Sequence, residues 1–263
     1  MLVDTHIHLE HRYFSEDRDA VMARAKEAGV DRMILPGADL KDLPQAVALC
    51  EAHEGLYFAA GVHPCHAEQF DEAALLPYLD HPKCVAVGEC GLDYYHLPKD
   101  PEQKAALKAV QKRVFQAHID LAVRYDRPLI VHIRDSSEDS LQMLEETQAS
   151  QVGGVLHCFN GDEQLLRLAD KGFYYGIGGV FTFKNARKLP EIVPLIPRDR
   201  LLLETDAPYL TPHPHRGTRN EPAYTQLVAD ALADKLEMSA QELAALTTQN
   251  ALECFTRLQD RVR

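Results

Sequence analysis

The stretch Val3-Asp4-Thr5-His6-Ile7-His8 opens the chain and sets both the predicted fold and the predicted site. Successive side chains of a β-strand point to opposite faces, so His6 and His8 should project from the same side of this strand. Two imidazoles on one face can hold one metal ion. A pair of surface histidines on a fraying N-terminus is the alternative that this motif by itself leaves open.

The length and composition indicate one α/β barrel or two small domains, and we expect a single domain over residues 1–263. A chain of 263 residues with 46% hydrophobic content can bury a large core. It has no run of eighteen apolar residues and no N-terminal signal core, so we expect a cytoplasmic protein without a membrane segment. The six cysteines form no C-x-x-C pair and should be reduced thiols that mostly fill the core. No obligate protein partner is indicated.

The net charge counts against a nucleic-acid substrate. The formal charge is -12 at pH 7, whereas nucleic-acid binders usually carry a basic patch. Bound divalent cations are often the largest local charges in a site, however, and can invert the sign of the field there. The net charge therefore does not exclude a DNA substrate.

Short apolar segments alternate with helical patterns along the chain. The predicted strands are Val3–His8, Arg32–Leu35, Leu56–Val62, Cys84–Gly88, Leu129–Val131, Val155–Leu156, Phe173–Ile177 and Leu201–Leu203. The predicted helices are Ser15–Ala28, Leu43–His53, Glu72–Leu79, Pro101–Tyr125 with Asp100 as N-cap, Ser137–Thr147, Glu163–Lys171, Asn185–Leu195, Tyr224–Leu236 and Ala240–Phe255. Eight such units at this length favour a closed (β/α)8 TIM barrel with extra C-terminal helices.

An open doubly wound sheet is the competing architecture. Such a sheet normally carries a Gly-rich phosphate-binding turn early in the chain. The cluster Gly176-Ile177-Gly178-Gly179 comes late and lacks the third spaced glycine. We interpret these glycines as positions of close backbone packing at a strand end.

Polar residues that can bind metals follow most of the predicted strands. In such a barrel the active site lies at the carboxyl ends of the strands. The residues found there are His6, His8, His63, Glu89, His132, His157, Glu204 and Asp206. Four imidazoles and two carboxylates exceed what one four-coordinate ion requires, so we predict two ions, with Glu89 as the bridge between them. The predicted metal ligands are His6, His8, Glu89, His132, His157 and Asp206. This mixed N/O set suits Zn, Mn, Fe, Co or Ni, and Mg where phosphate oxygens complete its coordination.

The same strand ends carry motifs that span the chain in order. They are Val3–His8, Gly61-Val62-His63-Pro64, Val87-Gly88-Glu89-Cys90-Gly91-Leu92-Asp93-Tyr94, Val131-His132, Leu156-His157-Cys158-Phe159, Leu203-Glu204-Thr205-Asp206-Ala207-Pro208-Tyr209-Leu210, Arg216-Gly217 and Asn220-Glu221-Pro222. Together they resemble the TatD family of metal-dependent deoxyribonucleases. The resemblance implies an amidohydrolase-like TIM barrel with two divalent cations, the six ligand roles above, and 3'-5' exonuclease activity connected with DNA repair. One departure is Cys65 followed by His66, where some relatives have histidine directly after the proline.

The resemblance leads to a mechanistic hypothesis. Two cations that share a water lower its pKa and supply hydroxide, which would cleave a phosphodiester bond. Asp206 would ligate one metal and accept the proton, and His63 would contact a phosphate or donate to the leaving group. Glu204 should point inward and orient a ligand histidine, and Asp93 is a second candidate for such a role.

The predicted substrate contacts to single-stranded DNA ends are His63, Arg134, Arg216 and Asn220. Arg134 could clamp a phosphate with its planar guanidinium, or instead pair with the Asp135 region. Arg216, Arg219 and Asn220 belong to a loop that could cover the mouth of the barrel, although Arg219 fits an ordinary solvated loop as well.

Two other functions stay open from the sequence. The same dinuclear barrel supports hydrolysis of a small phosphoester, a lactone or an amide, and the acidic net charge favours such a substrate modestly. A non-catalytic metal-binding protein is the other alternative, but it should lack a ligand, and none is missing here.

Overall fold

Eight parallel β-strands form one sheet whose order follows the sequence. The computed structural model describes residues 1–259, so the last four residues of the predicted domain lie outside the described residues. The strands are β1 (Leu2–Asp4), β2 (Val30–Leu35), β3 (Leu56–Ala60), β4 (Cys84–Asp93), β5 (Leu129–Arg134), β6 (Gly154–Leu156), β7 (Phe173–Ile177) and β8 (Leu201–Leu203). Thr5 N–H donates to Leu203 O at 3.0 Å, and Ile7 forms a parallel bridge with Ala207. The sheet closes at these contacts, which confirms the predicted (β/α)8 barrel.

Helices follow the strands as predicted. The α-helices are α1 (Arg18–Glu27), α2 (Leu43–Ala52), α3 (Glu72–Leu79), α4 (Pro101–Tyr125), α5 (Ser137–Glu146), α6 (Lys188–Ile192), α7 (Thr225–Leu236) and α8 (Ala240–Cys254). The 3-10 segments are Arg12–Phe14, Pro64–Gln69, Gln148–Gln151, Glu163–Lys171, Gly179–Thr182, Val193–Leu195, Arg198–Arg200, Pro222–Tyr224 and Thr256–Gln259. At the start of α4, Asp100 Oδ1 accepts the Gln103 N–H at 2.9 Å, which confirms the predicted N-cap.

Two predicted α-helices differ in type. Glu163–Lys171 is a 3-10 helix whose buried Leu165 and Leu168 are three residues apart, a spacing that matches the three-residue turn of that helix. The predicted helix 185–195 shrinks to α6 and a 3-10 turn that contains Pro194, a residue without a backbone N–H to donate.

Six of the eight strands differ from their predicted bounds, and β1 and β4, which carry predicted ligands, differ most. β1 ends at Asp4, so His6 and His8 lie just beyond it, where the bridge at Ile7 continues the parallel pairing. β4 runs on to Asp93, so Glu89 lies inside a fully buried strand and not at its end. The register of β4 against β5 shifts between Val87 and Cys90, which lets the strand continue past Glu89.

The barrel interior is closed at one end by the C-terminus of the described chain. One apolar cluster takes side chains from all eight strands and from residues 251–258, and its members are Val3, Ile34, Tyr57, Ala59, Val85, Ala86, Ile130, Val155, Tyr174, Leu202, Ala251, Cys254, Phe255 and Leu258. Thr248 Oγ1 on α8 donates to Met1 O at 2.9 Å, which places α8 at the amino end of β1. The opposite, carboxyl end of the barrel is therefore the end available for a site.

All six cysteines are free thiols, and four of them, Cys50, Cys84, Cys90 and Cys254, are buried. These four fill the core as predicted. Among residues 1–259, none of the helices combines the length and the hydropathy that a membrane crossing requires.

Candidate metal centre

The predicted ligands converge at the carboxyl end of the barrel. A pocket of about 820 Å³ is lined there by His8, Glu89, His132, His157 and Asp206, among others. His6 lies directly behind them, with 1% of its surface exposed. Its ring stacks on that of His157 at a centroid distance of 3.4 Å, so all six side chains belong to one cluster.

Glu89 lies at the centre of this cluster, and its two carboxylate oxygens face different imidazoles. Oε2 lies 3.3 Å from His6 Nε2. Oε1 lies 3.0 Å from His132 Nδ1 and 3.8 Å from His157 Nε2. A carboxylate with this placement can offer one oxygen to each of two cations.

Asp206 approaches the same His6 nitrogen as Glu89 and also contacts His8. Its Oδ1 is 3.4 Å from His8 Nε2 and 3.9 Å from His6 Nε2. The backbone of Asp206 adopts a left-handed conformation with φ of 55°, which aspartate tolerates better than most residues. Such a conformation at a turn after a strand directs this carboxylate to the histidines.

Three of the histidines each have a further carboxylate on the ring nitrogen that points away from the centre. His8 Nδ1 lies 3.3 Å from Glu10, and His157 Nδ1 lies 3.2 Å from Glu204. His132 Nε2 lies 3.2 Å from Asp93. A carboxylate in this position fixes the tautomer and the orientation of a metal-binding imidazole.

Sequence reasoning had suggested this orienting position for Glu204 and Asp93 but had missed Glu10. Glu10 is only 8% exposed, and its spacing of two residues from His8 was the one available signal. Glu204 is wholly buried and also accepts the backbone N–H of Cys158 at 2.7 Å.

Gly176 provides the space that Glu204 occupies. A Cβ added at Gly176 would lie 2.1 Å from Glu204 Oε2, and one at Gly179 would lie 2.0 Å from Leu210 O. The predicted close packing of this glycine cluster is confirmed.

The residues present fit a pair of divalent cations. Both ring nitrogens of the buried His6 lack a hydrogen-bond partner, although such groups are normally paired inside a protein. His6, His8 and Asp206 form one group whose ligand atoms lie within 4.8 Å of one another, and His6, Glu89 and His157 form a second. Imidazole nitrogens and carboxylate oxygens in this mixture suit first-row divalent ions.

The charges of the cluster prepare it for cations. Burial would raise the pKa of Glu89, but the neighbouring imidazoles His6 and His63 hold it well below its ordinary value. Burial also opposes ionisation of Asp206, but its hydrogen bond to His8 together with the charges of the neighbouring imidazoles lowers its pKa. Both carboxylates are therefore ionised at neutral pH.

His157 behaves in the opposite direction. Burial would lower its pKa, but the charge of Glu204 raises that pKa to about 9. A cation at Nε2 must displace a proton from His157, so metal binding at this position depends on pH.

His63 is held beside the cluster in one tautomer. Its Nδ1 accepts the Cys65 N–H at 3.1 Å, and its Nε2 lies 3.5 Å from Glu89 Oε1. Burial lowers the pKa of His63 to about 4, so the ring is neutral at pH 7. A neutral ring whose Nδ1 accepts a hydrogen bond carries its hydrogen on Nε2, on the side of Glu89.

Arg134 lines the pocket, where it was predicted to contact substrate. Its guanidinium lies 3.9 Å from the centre of the Tyr95 ring, and Tyr95 is 60% exposed. The alternative ion pair with the Asp135 region does not form among residues 1–259. The guanidinium edge is thus available to an incoming group.

The late loop is placed differently from the prediction. Asn220 is wholly buried, its Nδ2 donates to Thr205 O at 2.9 Å and Tyr209 O at 2.6 Å, and its Oδ1 accepts the Glu221 N–H. A side chain with these partners braces the loop and has no group free for substrate, so the predicted substrate contact at Asn220 is not supported.

The two arginines of this loop also lie outside the pocket lining. Arg216 donates to Thr211 O at 2.9 Å and stacks on Phe183 at 3.7 Å, and its predicted substrate contact stays a prediction. Arg219 forms an ion pair with Asp17 at 2.7 Å. These contacts hold the loop against the barrel.

A closed parallel barrel that gathers imidazoles and carboxylates at its carboxyl end defines the class of metal-dependent hydrolases, and comparison with known proteins agrees. The family model described as TatD related DNase matches residues 3–256. The chain belongs to this family.

The similarity extends over whole proteins. The chain is 43% identical over 259 residues to the uncharacterized metal-dependent hydrolase YabD of Bacillus subtilis, across 97% of this chain and 99% of that protein. It is 37% identical to the 3'-5' ssDNA/RNA exonuclease TatD of Salmonella typhimurium, across 97% of this chain and 98% of that protein. The crystal structure of YJJV, a TatD homologue from Escherichia coli, superimposes with a TM-score of 0.87 at 31% identity, across 97% of this chain and 98% of that one.

Proposed function

We propose that this metal-dependent hydrolase is a deoxyribonuclease that removes nucleotides from the 3' end of single-stranded DNA, and that residues 1–263 act as one domain. The observation that carries the proposal is the position of Glu89, whose two oxygens face two separate sets of donors. A pair of cations about one carboxylate is the arrangement that phosphodiester hydrolysis uses repeatedly. The Salmonella relative named as an exonuclease supports the same substrate.

Two divalent cations would be held by the six predicted ligands. His6, His8 and Asp206 would hold one, His132 and His157 the other, and Glu89 both. Bound there, the cations would lower the pKa of a water molecule and neutralise the negative charge of the phosphate. Mg, Mn and Zn are the candidates, because phosphate oxygens complete the coordination that imidazoles leave open.

The chain's own side chains would supply the remaining steps. Asp206 is ionised and borders the pocket, so it can accept a proton from the attacking water. His63 presents an N–H from its Nε2 and can donate it to a phosphate oxygen or to the leaving 3' oxygen. Neither step requires a side chain outside the pocket.

The shape and charge of the pocket suit the end of a single strand. A volume of about 820 Å³ falls in the range of small-ligand pockets and does not span a duplex. Arg134 contributes the only Lys or Arg side chain of its described lining, so attraction to phosphate would depend on the bound cations. Tyr95 and Tyr209 are 60% and 47% exposed near the mouth and offer aromatic faces to bases.

The test starts from metal-free protein. We expect added Mg, Mn or Zn to restore stepwise loss of nucleotides from the 3' end of a 5'-labelled single strand. His132→Ala should abolish this activity, whereas His53→Ala, which changes a histidine that lines a separate pocket beside Met1, should not. Rapid hydrolysis of a lactone, an amide or a small phosphoester with no loss from DNA would refute the proposal and favour the alternative substrate class, which the acidic net charge of -12 supports.

The cellular context follows from the same proposal. Removal of 3' nucleotides is a step that DNA repair requires, and the six free cysteines suit the reducing cytoplasm. Both the repair role and the cytoplasmic location stay predictions.

A further inference from the structure

A third group of metal-binding side chains lies next to the dinuclear centre. Cys65 belongs to the 3-10 segment Pro64–Gln69, Asp93 ends β4, and His96 follows three residues later. Their ligand atoms are Cys65 Sγ, Asp93 Oδ2 and His96 Nδ1, and all three lie within 4.8 Å of one another. We propose that these three side chains bind a third divalent cation of the thiophilic kind, such as zinc.

The distances between the ligand atoms support the proposal. A tetrahedral zinc with bonds of about 2.3 Å to sulfur and about 2.05 Å to nitrogen or oxygen needs S–N and S–O separations of about 3.6 Å and an N–O separation of about 3.3 Å. Cys65 Sγ lies 3.6 Å from His96 Nδ1 and 3.7 Å from Asp93 Oδ2. His96 Nδ1 and Asp93 Oδ2 are 2.8 Å apart, so only this pair must separate, by about 0.5 Å.

The side chains differ in how firmly they are held, in a way that permits this adjustment. Asp93 is wholly buried, and its Oδ1 accepts the backbone N–H of His96 at 3.1 Å. The side chain of His96 is 52% exposed and can rotate by the required amount. The group therefore combines one fixed ligand with two that can close on an ion.

There is space for a cation and its remaining ligands. Cys65 and His96 line a cavity of about 110 Å³, which Glu68 and Gln111 also border. On their other side, Asp93 and His96 border the main pocket. Three protein ligands beside two open spaces are typical of a zinc site that keeps a position for water or substrate.

The thiol decides the kind of metal. Thiolate sulfur is a soft ligand that prefers zinc or cobalt to magnesium. The dinuclear centre presents only nitrogen and oxygen in its predicted ligand set, so the two sites can differ in metal.

Asp93 would connect the third cation to the dinuclear centre. Its Oδ2 lies 3.2 Å from His132 Nε2 as well as 2.8 Å from His96 Nδ1. A carboxylate oxygen has two lone pairs, so it can bind a cation and still accept a hydrogen bond from His132. Occupancy of the third site would thereby help to fix the orientation of a predicted ligand of the main centre.

The test counts metals and looks for a thiolate ligand. Full-length protein is stripped of metal under reducing conditions, loaded with Zn(II) or Co(II), and desalted. Elemental analysis should give three cations per chain for the wild type and two for Cys65→Ser and for His96→Ala. The Co(II) protein should show the near-ultraviolet thiolate-to-cobalt charge-transfer band, and Cys65→Ser should lose it.

Cys158→Ser is the matched control, because Cys158 lies beside His157 and Glu204 and lines the main pocket. This variant should keep the band. A wild type that binds at most two cations without a thiolate band would overturn the proposal, and so would a band lost in Cys158→Ser and kept in Cys65→Ser. These readouts need no substrate, so they stand apart from the DNA assay, and circular dichroism checks that each variant is folded.

Discussion

The buried carboxyl group of Asp4 joins the two segments that carry half of the predicted ligands. Its Oδ1 accepts the Thr205 N–H at 3.0 Å and the His6 N–H at 3.3 Å, and Thr205 Oγ1 lies 2.6 Å from its Oδ2. Thr205 directly precedes Asp206. One side chain at the end of β1 therefore fixes backbone on both sides of the barrel seam.

Truncation of this side chain should be costly. Asp4→Ala removes two short hydrogen bonds and one long one from a wholly buried position. At about 1 kcal/mol for each short bond and less for the long one, the free energy of unfolding should fall by about 2 to 3 kcal/mol. In a chain of this size the loss lowers Tm by roughly 5 °C.

The conservative substitution should be tolerated, because Asp4 is largely a neutral acid below about pH 7. Burial raises the pKa of Asp4 from 3.8 to about 7. Asp4→Asn keeps the Oδ1 acceptor and places an amide N–H at Oδ2, where it can donate to Thr205 Oγ1. This change should cost less than about 1 kcal/mol.

The pH dependence has a definite sign. The folded-state pKa of Asp4 lies above its unfolded value, so the folded protein binds more protons between about pH 4 and pH 7. The stability that this group contributes is present below pH 4 and is lost as the pH rises towards 7. Asp4→Asn should therefore gain stability relative to the wild type over that interval.

Urea unfolding of metal-free protein at pH 5 and pH 7, followed by far-ultraviolet circular dichroism, measures these differences. If Asp4→Ala unfolds at the wild-type midpoint, or Asp4→Asn loses as much stability as Asp4→Ala, the proposed hydrogen-bond role of Asp4 is wrong.

Three further predictions concern the metal centre. Asp206→Asn should keep the fold and lower kcat for metal-dependent hydrolysis by about 100-fold or more, because it removes a ligand and the proposed proton acceptor; near-normal turnover in a steady-state assay would contradict this role. Metal affinity, measured by calorimetry, should rise from pH 6 to pH 9 because the pKa of His157 is about 9. Glu204→Gln should weaken metal binding by about 10- to 100-fold and flatten this pH dependence. An unchanged pH profile of metal affinity in this variant would exclude the influence of Glu204. Gly176→Ala places a Cβ 2.1 Å from Glu204 Oε2 and should lower the free energy of unfolding by about 1 to 3 kcal/mol. A double-mutant cycle with Glu204→Ala, measured by thermal unfolding, should show that the effects of the two substitutions on stability are not additive.

Most of the barrel could be predicted from local pattern. Apolar strands such as Phe173–Ile177 and Leu201–Leu203 appear at their predicted bounds because a strand buried on both faces must be almost wholly apolar. Both ends of helix α4 were predicted, and its start is the clearer of the two because Asp100 and Pro101 mark it. The apolar pattern was less informative at β4, where it predicted that the strand ends before Glu89 although the strand continues to Asp93.

The contacts around the ligands could not be predicted in the same way. Asn220 matched a motif and was predicted to contact substrate, but its side-chain amide forms hydrogen bonds with the backbone of Thr205, Tyr209 and Glu221. Whether a polar side chain faces a pocket or braces a loop depends on which backbone groups lie beside it after folding. Spacing along the chain does not contain that information.

The sequence by itself determined that parallel strands would end in imidazoles and carboxylates, because the alternation of apolar strands and helices places those ends together whatever the details of packing. Only the tertiary structure decided which carboxylate lies behind which histidine, with Glu10 at His8, Glu204 at His157 and Asp93 between His132 and Cys65. Except for Glu10 and His8, which are two residues apart, these pairings arise from the register of neighbouring strands, which brings residues far apart in the sequence to within a few ångströms of one another.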